Sequence, residues 1–121
     1  MTCKVLVADD DYDNRTIASE ILAASGNTVL TATNGIEALD MAVKEKPDII
    51  FLDLSMPKMS GWEVATKLKS MPDMSGIPIV AFTAHAMLGD EKKARDAGCD
   101  DFLTKPCVPK IMLEKLKKWC K

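Results

Sequence analysis

Five short apolar runs punctuate the chain, and between them apolar residues recur at helical spacing. Lys4–Ala8 is the first run, Thr28–Ala32 a β-branched second, Ile49–Leu52 the third, residues 77–82 the fourth and Asp101–Thr104 the fifth. Ile49-Ile50-Phe51-Leu52 shows no polar alternation, which marks a strand covered on both faces, as in a parallel α/β sheet. After the first run, Ile17, Ala18, Ile21 and Leu22 predict a helix that ends at Gly26. Asn34 is placed to cap a second helix whose Ile36, Leu39 and Val43 face inward, and Pro47 forbids its continuation. Ser60 and Glu63 have capping-box spacing and open a third helix carrying Val64, Ala65, Leu68 and Met71. The stretch from about Ala86 to Ala97 is thin in large apolar residues, so a weakly anchored fourth helix is expected before Gly98. Leu113, Leu116 and Cys120 mark the last helix.

Five strands alternating with five helices require a parallel sheet with right-handed crossovers and helices on both faces, a doubly wound α/β fold. At 121 residues there is room for one core and not two, so residues 1–121 are expected to form a single domain. A content of 47% hydrophobic and 28% charged residues is ordinary for a globular protein. The formal net charge of −2 argues against a nucleic-acid binder, which would show a basic stripe. Residues 110–121 are the one Lys-rich stretch, read as the solvated side of the last helix.

A parallel sheet points all its strand ends to one edge, where open α/β sheets bind ligands. Asp9 and Asp10 follow the first strand, Asp53 the third, Thr83 the fourth and Lys105 the fifth, so all are expected to converge there. An isolated Asp53 before Pro57 reads as a turn cap; the other strand ends change that reading. Clustered carboxylates repel unless a cation intervenes, and hard oxygen ligands with room for water suit Mg²⁺. With Mg²⁺ on Asp10 and Asp53, a phosphoryl group would find further partners in Lys105 and the Thr83 hydroxyl, leaving Asp53 as nucleophile.

Val7-Ala8-Asp9-Asp10, Leu52-Asp53-Leu54-Ser55-Met56-Pro57, Gly61, Phe82-Thr83-Ala84, Gly98 and Lys105-Pro106 occur in an order and at a spacing that resemble the receiver domain of two-component response regulators over essentially the whole chain. The resemblance is to chemotaxis-regulator-like, stand-alone receivers and to receivers of hybrid histidine kinases. It implies a flavodoxin-like fold of strand order 2-1-3-4-5. It implies Mg²⁺, or Mn²⁺, on Asp10, Asp53 and the Ser55 backbone carbonyl, with Asp9 acting through water. It implies phosphate from a histidine kinase or phosphotransfer protein on Asp53, not enzymatic turnover, and a switch through Thr83 and Phe102. Output would be a downstream protein bound on the face of helix 4, strand 5 and helix 5, with no nucleic acid or membrane partner. Phe102 has no hydroxyl, where the family usually carries Tyr or Phe. Ser55 and His85 occupy positions at which receivers vary and phosphoryl lifetime is tuned.

Two other function classes remain open on sequence: a receiver-like interaction module that is not phosphorylated, and a small aspartyl-phosphate phosphatase, for which Asp9 and Asp11 have a superficial spacing but the chain lacks room for a cap domain. Asp9, Asp11 and Asp13, with Glu20 at the twelfth place, mimic an EF-hand loop, but Asn14 replaces its glycine and a strand, not a helix, precedes it. Asp11 and Asp13 read instead as a helix cap and a dipole partner. His85 reads as a polar loop residue, and Trp62 and Trp119 as packing residues. Lys105 has no evident partner in the sequence and little structural reason to precede a proline. Cys3, Cys99, Cys107 and Cys120 show no C-x-x-C spacing, so reduced, unpaired thiols are expected. The N-terminus shows no signal peptide and no run reaches membrane length, which points to the cytoplasm.

Overall fold

The computed structural model describes residues 3–83, 90–105 and 108–120. Five strands and five helices alternate: β1 (Lys4–Ala8), α1 (Tyr12–Ala24), β2 (Thr28–Ala32), α2 (Gly35–Glu45), β3 (Ile49–Leu52), α3 (Gly61–Lys69), β4 (Ile79–Thr83), α4 (Asp90–Asp96), β5 (Asp101–Thr104) and α5 (Pro109–Trp119). The strands form one sheet in the order β2-β1-β3-β4-β5, and every pair is parallel. The doubly wound fold read from the sequence is therefore present. β4 starts two residues later than the run at 77–82 suggests, because Pro78 has no N–H to give the ladder, and it runs one residue further, to Thr83, which pairs with Thr104.

Alternate residues of each strand feed two separate cores. Leu6, Ala8, Ile50, Leu52, Ile79 and Ala81 pack on one side against α2 and α3, with Ala94 of α4. Val5, Val7, Ile49, Phe51, Val80 and Phe82 pack on the other against α1 and α5. β3 is buried along its whole length, as its unbroken apolar run predicts.

The caps follow the sequence. Asp11 accepts from the Asn14 N–H and Asn34 from the Glu37 N–H, and Ser60 with Glu63 completes a capping box. The inward face of α2 departs from expectation. Ile36 and Val43 are 46% and 43% exposed, while Gly35, Ala38 and Ala42 are buried. The buried stripe is made of small residues one position out of phase with the large ones, which lets α2 approach the sheet closely; of the predicted three only Leu39 packs against the core. Lys46 ends the helix in the left-handed conformation before Pro47.

Two further expectations are corrected. Cys3, at the start of β1, and Cys120, at the end of α5, are joined as a disulfide across a sequence separation of 117, with their Cα atoms 6.5 Å apart. Spacing along the chain carries no trace of such a pairing, which exists only because α5 folds back over the first strand. Cys99 is free and buried, its thiol pushed up to about 12, mainly by burial; Cys107 lies outside the described residues. The C-terminal lysines are also not wholly solvated. Lys115 Nζ donates to Asp101 at 2.9 Å, Lys118 stands 3.8 Å from it, and Trp119 Nε1 donates to it at 2.7 Å, so Trp119 has a polar role besides packing.

Candidate functional site: an acidic cleft at the carboxyl edge

Two of the three predicted acids are placed by a bond across the sheet. The Asp9 N–H donates to the Ala32 carbonyl at the end of β2, and the Asp53 N–H to the Ala8 carbonyl at the end of β1, at 3.0 and 2.9 Å. The Lys105 N–H donates to the Thr83 carbonyl at 2.8 Å, continuing the β4–β5 ladder past its last pair, Thr83 with Thr104. Parallel register thus brings Asp9, Asp10, Asp53, Thr83 and Lys105 to one edge. Carboxylate oxygens of Asp9, Asp10 and Asp53 lie within 4.8 Å of one another, with Asp9 and Asp53 buried and Asp10 exposed.

Lys105 is not without a partner, as the sequence alone suggests. Its side chain is 8% exposed, and Nζ lies 2.7 Å from Asp9 Oδ2 and 3.2 Å from Asp53 Oδ2. The Phe82 ring lies beneath the ammonium, 5.2 Å from centroid to Nζ. Burial alone would lower the lysine, but the adjoining carboxylates of Asp9 and Asp53 outweigh it and hold it above its ordinary value. Asp53 is pushed up to about 6, first by burial and further by Asp9, against the lowering effects of the Ser55 N–H and Lys105. The Ser55 N–H donates to Asp53 Oδ1 at 3.0 Å.

Asp9 spends Oδ1 on the Asp11 N–H at 2.9 Å. Its buried Oδ2 has the ion-pair contact with Lys105 but no well-directed hydrogen bond among the described residues. Two buried carboxylates share one lysine and a third lies beside them, so the cleft has more negative charge than that lysine neutralises. An all-oxygen donor set with an under-served buried oxygen fits a hard divalent cation.

Thr83 is buried at the end of β4, and Phe102 is half-buried on β5 opposite Ala81, packed against the α2–α3 core. His85 and Pro106 lie outside the described residues, as do the first residues of the stretch read as the fourth helix. Two contributors went unread in the sequence. Arg15 Nη1 donates to the Asp9 backbone carbonyl at 2.9 Å, one turn into α1. Gly35 lies against the loop that follows Asp53; its place directly after a capping Asn and a strand is the only signal the sequence offers.

An all-parallel, doubly wound sheet in this order, with acids and a lysine gathered at its carboxyl edge, defines a flavodoxin-like domain of the chemotaxis-regulator kind. The model of the response regulator receiver domain matches residues 5–117. The chain is 35% identical over 119 residues to the polar-differentiation response regulator DivK of Brucella anthropi, covering 98% of this chain and 97% of that protein. Among solved structures it is similar to the chemotaxis protein CheY4 of Vibrio cholerae, with a TM-score of 0.91, 30% identity and coverage of 98% and 99% of the two chains. The receiver domain of the sensor histidine kinase PA1611 from Pseudomonas aeruginosa superposes with a TM-score of 0.91 at 27% identity, covering 99% of this chain and 98% of that one, and that structure has a magnesium ion coordinated in its active-site cleft. The chain belongs to the response regulator receiver domain family of two-component signalling. Receivers of this family bind Mg²⁺ at an acidic pocket, act as phosphoacceptors rather than true enzymes, and interact with histidine kinases and downstream targets. Among the described residues no helix is long and apolar enough to cross a membrane.

Proposed function

We propose that residues 1–121 form one receiver that accepts a phosphoryl group on Asp53 from a phosphohistidine of a kinase or phosphotransfer protein, and that phosphorylation reshapes its α4–β5–α5 face for a downstream protein. The observation that carries this reading is the cluster of Asp9, Asp10 and Asp53 around one lysine at the sheet's carboxyl edge. Asp10, Asp53 and the Ser55 carbonyl would hold Mg²⁺ or Mn²⁺, with Asp9 acting through water. Bound there, the cation neutralises charge on the carboxylates and on the transferring phosphoryl oxygens.

The chain's own groups do the rest. An Asp53 oxygen forms the new O–P bond as the donor's N–P bond breaks, and the imidazole leaves with the electron pair. Lys105, already 3.2 Å from that carboxylate, is positioned to shift onto a phosphoryl oxygen. The Thr83 hydroxyl takes another, because a charged phosphoryl oxygen is a stronger acceptor than a neutral one. Inward movement of Thr83 opens space beside β5 for the half-buried Phe102, and α4, which enters the core through the small side chain of Ala94, is anchored lightly enough to follow.

The test is transfer from a phosphorylated histidine donor with Mg²⁺, followed by intact mass. Wild type should gain one phosphoryl group, and Asp53→Asn should lose uptake by about a thousandfold or more. Uptake by Asp53→Asn at the wild-type rate would remove Asp53 as acceptor.

A further inference from the structure

The loop between β3 and α3 carries the Ser55 carbonyl, and α2 meets it through a glycine. A Cβ built on Gly35 would fall 1.7 Å from the Met59 carbonyl oxygen and 2.5 Å from its carbonyl carbon. Real Cβ contacts do not come under 3.0 Å, so any other residue at 35 must drive the loop, or the first turn of α2, back by more than 1 Å. The obstruction is backbone, which no side-chain rotation relieves. The Gly35 N–H also points at the Pro57 carbonyl, 3.5 Å away.

This contact completes a connection around the cleft. The Asp9 N–H is held by Ala32 at the end of β2. Two residues on, Asn34 caps α2 by accepting from the Glu37 N–H, while Glu37 Oε1 accepts from the Thr33 N–H at 2.7 Å, so the turn between β2 and α2 is fixed at both ends. Gly35 then presses on Met59. The Asp9–Asp10 loop and the Asp53–Ser55 loop are therefore tied through the start of α2 as well as through the β1–β3 ladder. On the far side Gly61 abuts the Asp53 carbonyl, with a virtual Cβ 2.3 Å from its oxygen, so the loop is gripped from α2 and from α3.

We infer that Gly35 is a positioning residue for the acidic cleft: by letting the Met59 carbonyl lie against the first turn of α2, it sets the place of the loop bearing Ser55 relative to Asp9 and Asp10. The inference rests on the proposed Mg²⁺-dependent phosphoryl acceptance for its functional consequence, but its structural half does not.

The experiment compares Gly35→Ala with Gly76→Ala, whose Cβ meets nothing within 4 Å. Amide NMR spectra without metal come first. Gly35→Ala should displace the amides of residues 53–60 and 33–37 and leave β4 and α5 unchanged, and Gly76→Ala should leave the loop where it is. Mg²⁺ alone is then titrated, with Trp62 fluorescence as readout. Gly35→Ala should bind about tenfold or more weakly, the scale at which residues supporting metal ligands act, and Gly76→Ala as wild type does. Wild-type loop shifts in Gly35→Ala, or wild-type Mg²⁺ affinity in a folded Gly35→Ala, would overturn the inference. Should Gly35→Ala fail to fold, amide exchange in the wild type decides: Mg²⁺ should slow exchange at Gly35 together with Ser55, and an unresponsive Gly35 would overturn it. If wild type itself binds no Mg²⁺, the functional reading fails while the metal-free spectra still report whether Gly35 sets the loop.

Discussion

β5 carries a charged group at each end, and the two sit in opposite circumstances. At its carboxyl end Lys105 reaches into a cleft where one ammonium pairs with two of three clustered carboxylates, and Asp53 is pushed up to about 6. At its start Asp101, 2% exposed, is crowded with donors: Trp119 Nε1, Lys115 Nζ and the Phe102 N–H bond to it, and Arg95 and Lys118 stand within 4 Å. Burial alone would raise Asp101, yet the Trp119, Lys115 and Phe102 hydrogen bonds outweigh it and hold the carboxyl below its ordinary 3.8. Both are buried acids. The saturated one ties β5 to α5 and to the end of α4, whereas the starved one is poised to take on a cation or a charged ligand. Under-satisfaction, not burial, distinguishes the acid proposed as phosphoacceptor.

The largest stability effect should come from breaking the starved cluster further. Lys105→Ala removes the ammonium paired with the buried Asp9 and Asp53 carboxylates, and should cost about 3 kcal/mol in urea unfolding with chelator present. Added Mg²⁺ should recover part of that loss; a variant as stable as wild type in chelator would show that the ion pairs are not needed.

Asp101→Asn should cost about 2 kcal/mol, by leaving the lysines and the indole short of their acceptor. The pH dependence has a definite sign. Asp101 is depressed in the folded state, so its charge contributes stability above the ordinary 3.8 that disappears as pH falls through the folded value. Wild type and Asp101→Asn should therefore converge in acid below pH 3.8, and a gap that stays constant with pH would refute the charge assignment.

Asp53→Asn should do the reverse. The folded protein raises Asp53 from 3.8 to about 6, so its charge is unfavourable above that pH, and removing it in chelator at pH 8 should stabilise by about 1–2 kcal/mol. A destabilised Asp53→Asn would mean that the cleft is not under-satisfied. The smallest effect belongs to Lys118→Ala: at 62% exposed and 3.8 Å from Asp101, it should change stability by less than about 0.5 kcal/mol.

What the sequence showed of these two clusters differs in kind. The cleft was legible because a parallel sheet sends all strand ends to one edge, so Asp9, Asp10, Asp53, Thr83 and Lys105 could be gathered from element order alone. The Asp101 cluster was not, since Lys115 and Trp119 reach it only through the way α5 packs, 14 and 18 residues on. Lys105 was assigned to the cleft for its place, while its pairing with Asp9 depends on side-chain reach. On α2, Ile36 and Val43 stood out by size, but close packing on the sheet selected Gly35, Ala38 and Ala42. Size marks a wide interface and misreads a narrow one. Gly35 was passed over for the same reason, because what it contributes is the absence of an atom.

The bond between Cys3 and Cys120 changes how the fold would carry force. β1 lies inside the sheet, between β2 and β3, and α5 packs on one of its faces. Without the bond, tension across residues 3 and 120 would peel α5 from the sheet and shear β1 from its neighbours, loading hydrogen bonds and side-chain packing in turn. With it, the load runs through a single covalent link, and neither the sheet nor the acidic cleft at its far edge is strained. Reduction would return that load to the fold, so the oxidised protein should hold at forces that unravel the reduced one.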